Sequence, residues 1–148
     1  MEELLNLANA RHEDQRALME RIATEGFCPF CPENLERAEL EPVLKETPHW
    51  HVRNNRWPFE NARVHLLGIH RTHITCLADI TPEAWLELGE ITRWVENNYN
   101  LQHGGLNMRF GNVDSNGATV AHLHFQIASA DITDRNNPQY QQVRFRVG

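Results

Sequence analysis

The segment Gly117–Ile127 (Gly-Ala-Thr-Val-Ala-His-Leu-His-Phe-Gln-Ile) constrains this chain more than any other. Its polar and apolar residues alternate, which predicts a β-strand. Ala121, Leu123, Phe125 and Ile127 then share one face and can enter a core, while Val120, His122, His124 and Gln126 share the other. Two imidazoles and an amide in a row need partners or a task, because buried polar groups left unpaired are costly. A glycine-containing, hydroxyl-bearing loop, Asp114–Thr119, runs straight into them. The strand and its loop are a candidate active site.

A chain of 148 residues is long enough for one domain with a real core. Its 41% hydrophobic and 23% charged content is that of an ordinary soluble globular protein. No apolar run approaches the roughly 20 residues needed to span a bilayer, so no membrane role is expected. Met-Glu-Glu-Leu-Leu lacks the features of a signal peptide, so a cytoplasmic protein is expected. A net charge of −6 argues against nucleic-acid binding through a basic surface. It does not exclude a small anionic ligand, which responds to the charges of its own pocket.

Taken in order, residues 1–26 read as an N-terminal helix with Leu4, Leu5, Ala8, Leu18, Met19 and Ile22 on one stripe, stopped by Gly26. Residues 42–46 and 50–54 read as strands, with a turn at Asn54-Asn55, and 62–69 as a better one. Thr81-Pro82-Glu83 is a helix start, a capping hydroxyl followed by proline and an acid. Trp85, Leu88, Ile91 or Thr92, and Val95 give that helix its buried stripe, with Trp94 also expected in the core. Residues 106–110 read as a strand, and 142–147 as a short terminal one. Helix, strands, helix, strands with little βαβ alternation predicts an α+β fold on an antiparallel sheet. Residues 27–148 would then form one catalytic domain.

Two constellations carry chemistry. Cys28-Pro-Phe-Cys31 presents two thiols to one tetrahedral ion, and zinc then needs two more ligands, for which His65, His70, His73 and His122 are available. Two merely reduced cysteines are the alternative; a redox dithiol is disfavoured because no βαβ pattern follows Cys31. His124 could attack phosphorus to form a nucleotidyl-histidine, or His122 and His124 could instead be metal ligands. Cys76 reads as a small core residue, His51, His65 and His103 as surface or packing histidines, and Arg53, Arg56 and Arg71 as solvated.

Gly117–Gln126 resembles the signature of the histidine triad (HIT) superfamily, a glycine-x-hydroxyl loop followed by His-φ-His-φ-His/Gln. Gln126 in the third position resembles the galactose-1-phosphate uridylyltransferase and dinucleoside polyphosphate phosphorylase branches more than the hydrolases. Phe27-Cys28-Pro-Phe-Cys31, the run His65–Ile74 and Trp57-Pro58-Phe59-Glu60 are similar to further elements of zinc-containing members. The resemblance implies a HIT-like fold: an antiparallel sheet of about five strands with a long helix packed on it, here with an extra N-terminal helix. It implies structural zinc on Cys28, Cys31, His73 and His122, with His124 as nucleophile and His122 and Gln126 completing the catalytic group. It also implies phosphate contacts from Asn112, Gly117, Thr119 and Gln126, with the nucleoside near Asn55, Trp57 and Phe59. The implied function is a nucleotidyl transferase or nucleotide hydrolase working at the α-phosphate of a dinucleoside polyphosphate, nucleoside phosphoramidate or sugar nucleotide. Transfer or phosphorolysis is slightly favoured, and the enzyme would be a homodimer. The alternative is a zinc-stabilised nucleotide-binding module without turnover.

Overall fold

The protein was analysed as a computed structural model, which describes residues 3–133, 136 and 142–148. Five strands, β1 (Val43–Glu46), β2 (Trp50–Asn54), β3 (Ala62–His70), β4 (Gly105–Arg109) and β5 (His124–Ala130), form one sheet in the order β1-β2-β3-β5-β4. Every neighbouring pair is antiparallel. The two faces are covered by helices α1 (Glu13–Glu25) and α2 (Pro82–Asn98), and α3 (Val113–Asn116) is a single turn in the loop before β5.

Alternation along the strands sorts the residues between two cores. Trp50, Val52, Val64, Leu66, Leu123, Phe125 and Ile127 pack with Ala84, Leu88, Ile91 and Val95 of α2. Helix α2 starts as its sequence dictates: the Thr81 hydroxyl accepts from the Ala84 N–H at 3.2 Å, with Pro82 at the first position. Trp50 Nε1–H donates to the Ala84 carbonyl at 2.8 Å, so the largest core side chain leaves no polar atom unpaired. Gly68 pairs with Phe125 across the β3–β5 ladder, and a Cβ there would lie 2.0 Å from the Phe125 ring. That ring occupies the space a side chain at 68 would need. On the opposite face Leu5, Met19, Ile22, Phe27, Phe30, Ile69 and Val120 form the second core.

Several expectations are corrected. The N-terminal helix is not continuous: a 3-10 turn at Leu7–Asn9 precedes α1, and Leu5 forms a bridge with Val120. Asn6 and Asn9 are the cause, because Nδ2 of each donates to carbonyls of the 113–118 loop and Asn6 also caps the turn. The stripe of α2 runs through Ala84, and Trp85 is 45% exposed, because the register set by Trp50 on Ala84 turns residue 85 outwards. Trp94 only borders the core, and Cys76 is exposed. The ladder of β5 begins at His124; residues 117–123 are held by separate bonds such as Leu123 N–H to the Ile74 carbonyl at 2.7 Å. Residues 142–148 form no strand. Among the described residues no helix is long and apolar enough to cross a membrane.

Candidate active site and metal centre

Helix α1 ends at Gly26, which adopts φ 71° and turns the chain sharply into the cysteine loop. Cys28 and Cys31 thereby meet His73, just beyond β3, and His122, just before β5; the four ligand atoms lie within 4.8 Å of one another. Sγ of Cys28 is 3.4 Å from Nδ1 of His122, Sγ of Cys31 is 3.4 Å from Nδ1 of His73, and Sγ of Cys31 is 3.8 Å from Nδ1 of His122. A tetrahedral zinc ion with bonds of about 2.0–2.3 Å separates its ligands by about 3.3–3.8 Å. His122 Nε2–H donates to the His70 carbonyl at 2.6 Å, which leaves the Nδ1 lone pair directed at the sulfurs. Burial and the neighbouring Cys28 push the Cys31 thiol up to about 12, so without a cation beside it the group stays protonated. The four residues fit structural zinc. His65 and His70, the other histidines offered by the sequence, are not in the cluster.

Two residues along β5, the second imidazole is held differently. His124 Nδ1–H donates to the His122 carbonyl at 2.6 Å, since a carbonyl can only accept. The ring is therefore the Nδ1–H tautomer, and Nε2 keeps its lone pair. Burial lowers its basicity to about 4, partly offset by the bond to His122 and reinforced by the Arg109 guanidinium, so the ring is neutral near pH 7. No described residue makes a hydrogen bond to its Nε2. The edge of the ring packs against Phe30, with ring centroids 5.2 Å apart.

Gln126 is oriented by His65, a residue expected from the sequence to be mere packing. The Phe59 N–H donates to His65 Nδ1 at 2.9 Å, so His65 carries its proton on Nε2 and donates it to Gln126 Oε1 at 2.6 Å. With its oxygen occupied, Gln126 presents its NH₂ as the free end. Burial holds His65 neutral, at about 4. Register places Leu67 opposite Gln126 and Ile69 opposite His124, and Arg109 of β4 opposite His124 from the other side. Arg109 escaped the sequence reading because strand register is not written in local sequence.

His124, Gln126, Gly117, Thr119, Asn55 and Trp57 line one cavity of about 580 Å³. Gly117 takes φ 80°, which glycine adopts freely. Asn116 fixes this loop, accepting from the Ala118 N–H at 2.8 Å and donating to the Phe110 and Gly111 carbonyls. Asn112 lies outside the cavity and caps α3 through the Asp114 N–H at 2.8 Å. Ser115 is also outside it. Asn55 Oδ1 accepts from the Trp57 N–H at 2.8 Å, and Trp57 Nε1–H donates to Asp14 at 2.9 Å. Phe59 has no free face: His65 stacks on it at 4.2 Å and the Arg11 guanidinium lies 4.4 Å from its centroid. Arg53, expected in solvent, is buried, its Nε donating to His51 Nδ1 at 3.1 Å. His51 is buried with it.

No protein-family model and no curated protein matches this sequence. Solved structures do. A "Hit Like Protein" is 26% identical with a TM-score of 0.51, over 62% of this chain and 87% of that one. A HIT family hydrolase from Clostridium thermocellum is 20% identical, TM-score 0.54, over 69% of this chain and 90% of that one. The diadenosine triphosphate hydrolase of Plasmodium falciparum, solved with cyclomarin A, is 20% identical with a TM-score of 0.52 over 62% of this chain. The match spans 63% of that Plasmodium chain. The structural neighbours of this protein are histidine triad proteins, and its five-stranded antiparallel sheet with flanking helices is the HIT-like fold.

Proposed function

We propose that this chain is a nucleotidyl transferase whose covalent intermediate forms on His124. One observation carries the reading: a neutral imidazole, locked as the Nδ1–H tautomer, lines a cavity with an amide donor two residues along the same strand face. Nε2 of His124 attacks the α-phosphorus of a bound nucleotide, a P–N bond forms and the bond to the leaving oxygen breaks. The freed NH₂ of Gln126 and the Thr119 hydroxyl donate to the phosphoryl oxygens, which gain charge in the transition state. Gly117 lets the backbone approach them. The nucleoside occupies the apolar end of the cavity, where Phe30, Leu40 and Leu67 meet Asn55 and Trp57.

An amide at position 126 does not titrate, so it cannot take a proton from water. This favours an acceptor that arrives already anionic, and hence transfer or phosphorolysis over hydrolysis. A zinc ion held by Cys28, Cys31, His73 and His122 would neutralise the thiolates and fix the cysteine loop to β3 and β5.

The test is incubation with α-labelled nucleoside triphosphates, dinucleoside polyphosphates, sugar nucleotides and phosphoramidates. The expected result is an acid-labile adduct, with turnover falling by about 10³-fold or more in His124→Asn at unchanged nucleotide affinity. Binding without adduct or turnover in the unmodified protein would make the chain a binding module and overturn the proposal. We also propose a homodimer. Strand β4 is an edge of the sheet, with its own Leu106 46% exposed and Phe110, just past it, 56% exposed. Light scattering should give twice the chain mass, and a monomer at micromolar concentration would refute this.

A further inference from the structure

The cavity around His124 carries a charge the chemistry at the α-phosphate does not use. Six arginines line it (Arg11, Arg53, Arg56, Arg109, Arg144 and Arg146) against two acids, Glu41 and Glu60, in a chain whose net charge is −6. Three of the six, Arg11, Arg109 and Arg146, reach the cavity from separate parts of the sequence and act on one another. Arg109 sits opposite His124 on β4. Its Nε–H donates to the Arg146 carbonyl, which fastens the C-terminal segment along the cavity that it lines. That segment is also held by Phe145 against Phe59, ring centroids 5.6 Å apart, and its backbone passes close to Gly117. Arg11 reaches in from the turn before α1, over Phe59, and donates to the Trp57 carbonyl.

None of the three forms an ion pair with a described residue; Arg11 and Arg109 donate to the neutral carbonyls of Trp57 and Arg146. Arg11 is disfavoured as a cation first by burial, then by Arg109 and Arg146, and Arg109 likewise by burial and Arg146. Guanidiniums brought together against their own repulsion, in a partly buried cleft without carboxylates between them, are stabilised by an anion bound there. A single α-phosphate already has Gln126, Thr119 and the Gly117 loop. The surplus of charge lies beyond it.

We propose that Arg11, Arg109 and Arg146 form a second anion site that holds the phosphate chain of the leaving group, so that the substrate is a nucleoside or dinucleoside polyphosphate. This rests on the nucleotidyl-histidine reading for its chemistry. In the first step the electron pair of the broken P–O bond goes to a terminal phosphate oxygen held by the arginines, and that oxygen needs no proton to leave. In the second step the acceptor must approach from the position the leaving group vacated, because it attacks opposite His124. The same arginines therefore seat an incoming phosphate, whose oxygen bonds to phosphorus as the P–N pair returns to Nε2. A phosphoramidate, which expels an amine, gains nothing from this site.

The test has two arms, both on the full chain. Calorimetry with inorganic triphosphate on the unmodified protein, Arg11→Ala, Arg146→Ala and Arg146→Lys reads the site without any turnover. Affinity is expected to fall by about 10–100-fold in each alanine variant and to recover in part in Arg146→Lys. Kinetics then give the ratio of kcat/KM for a dinucleoside triphosphate to that for the phosphoramidate of the same nucleoside. That ratio is expected to exceed one and to drop about 10–100-fold in the alanine variants. Triphosphate affinity unchanged by the substitutions, or a ratio they leave unchanged, overturns the proposal. Triphosphate binding that depends on the arginines, without a His124 adduct from any nucleotide, leaves the anion site standing and sinks the nucleotidyl-histidine reading instead.

Discussion

At the scale of single residues, Gln126 depends on its neighbour more than an imidazole in its place would. An amide can present either its oxygen or its nitrogen to a phosphate, and only the nitrogen helps a developing anion. Here the choice is made by the relay from the Phe59 N–H through His65 to Gln126 Oε1. His65→Phe should therefore lower kcat by about 10–100-fold with little change in KM, as should Gln126→Ala. The double variant should lose much less than the product, because both substitutions remove one oriented donor. Multiplicative losses in a double-mutant cycle would show that His65 acts elsewhere. The sequence carried this role only faintly. His65 and Gln126 are 61 positions apart, and local pattern says nothing about which rung of β3 faces which rung of β5. By contrast, the place of His122 beside Cys28, Cys31 and His73 was expected, through the family resemblance that the Gly117–Gln126 segment carries.

Among the elements, the cysteine loop is the one whose ligand set ties three others together. It joins α1 to the sheet through a 3-10 turn at Pro32–Asn34, and its thiols meet two histidines that flank the central strands β3 and β5. Zinc bound there makes one cooperative unit of α1, the loop and the active-site strand, because metal binding free energy becomes folding free energy. Prolonged chelation, or Cys28→Ser, should remove zinc and lower Tm by about 10 °C or more. A metal-free protein with an unchanged Tm would contradict a structural role. Elements whose sequences carried strong local signals came out as expected: the Thr81-Pro82 start of α2, the Gly26 stop of α1 and the strand at 62–69. The failures have a common cause. Trp85 faces out because Trp50 fixes the rotation of α2 through Ala84, and the first turns of the chain are drawn off by Asn6 and Asn9 binding the 113–118 loop. Such long-range bonds override periodicity.

Over the whole molecule, charge and burial are divided unevenly, and the division has a consequence for acid stability. The chain is acidic overall, yet its buried histidines have arginines as neighbours, which adds to the burial that keeps them neutral. His51, His65 and His124 are each lowered to about 4, in every case first by burial, with Arg53 and Arg71 acting on His51, Arg11 and Arg109 on His65, and Arg109 on His124. In the unfolded chain the same rings titrate near about 6.5. Between about 6.5 and 4 the unfolded chain therefore binds protons that the native chain refuses, and stability must rise with pH through that window. Their contribution is complete above about 6.5 and is lost as pH falls towards 4. The urea midpoint should be flat from pH 8 to 7 and should drop steeply between 6 and 5, against the direction expected of His–carboxylate pairs, whose stability is lost as pH rises. His65→Phe should flatten the slope, since it removes one of the buried rings that refuse a proton in this window. A midpoint that held constant from pH 7 to 5 in the unmodified protein would mean that these histidines titrate in the native state as they do in the unfolded chain, and burial would then not be what keeps His124 neutral below about pH 6.5.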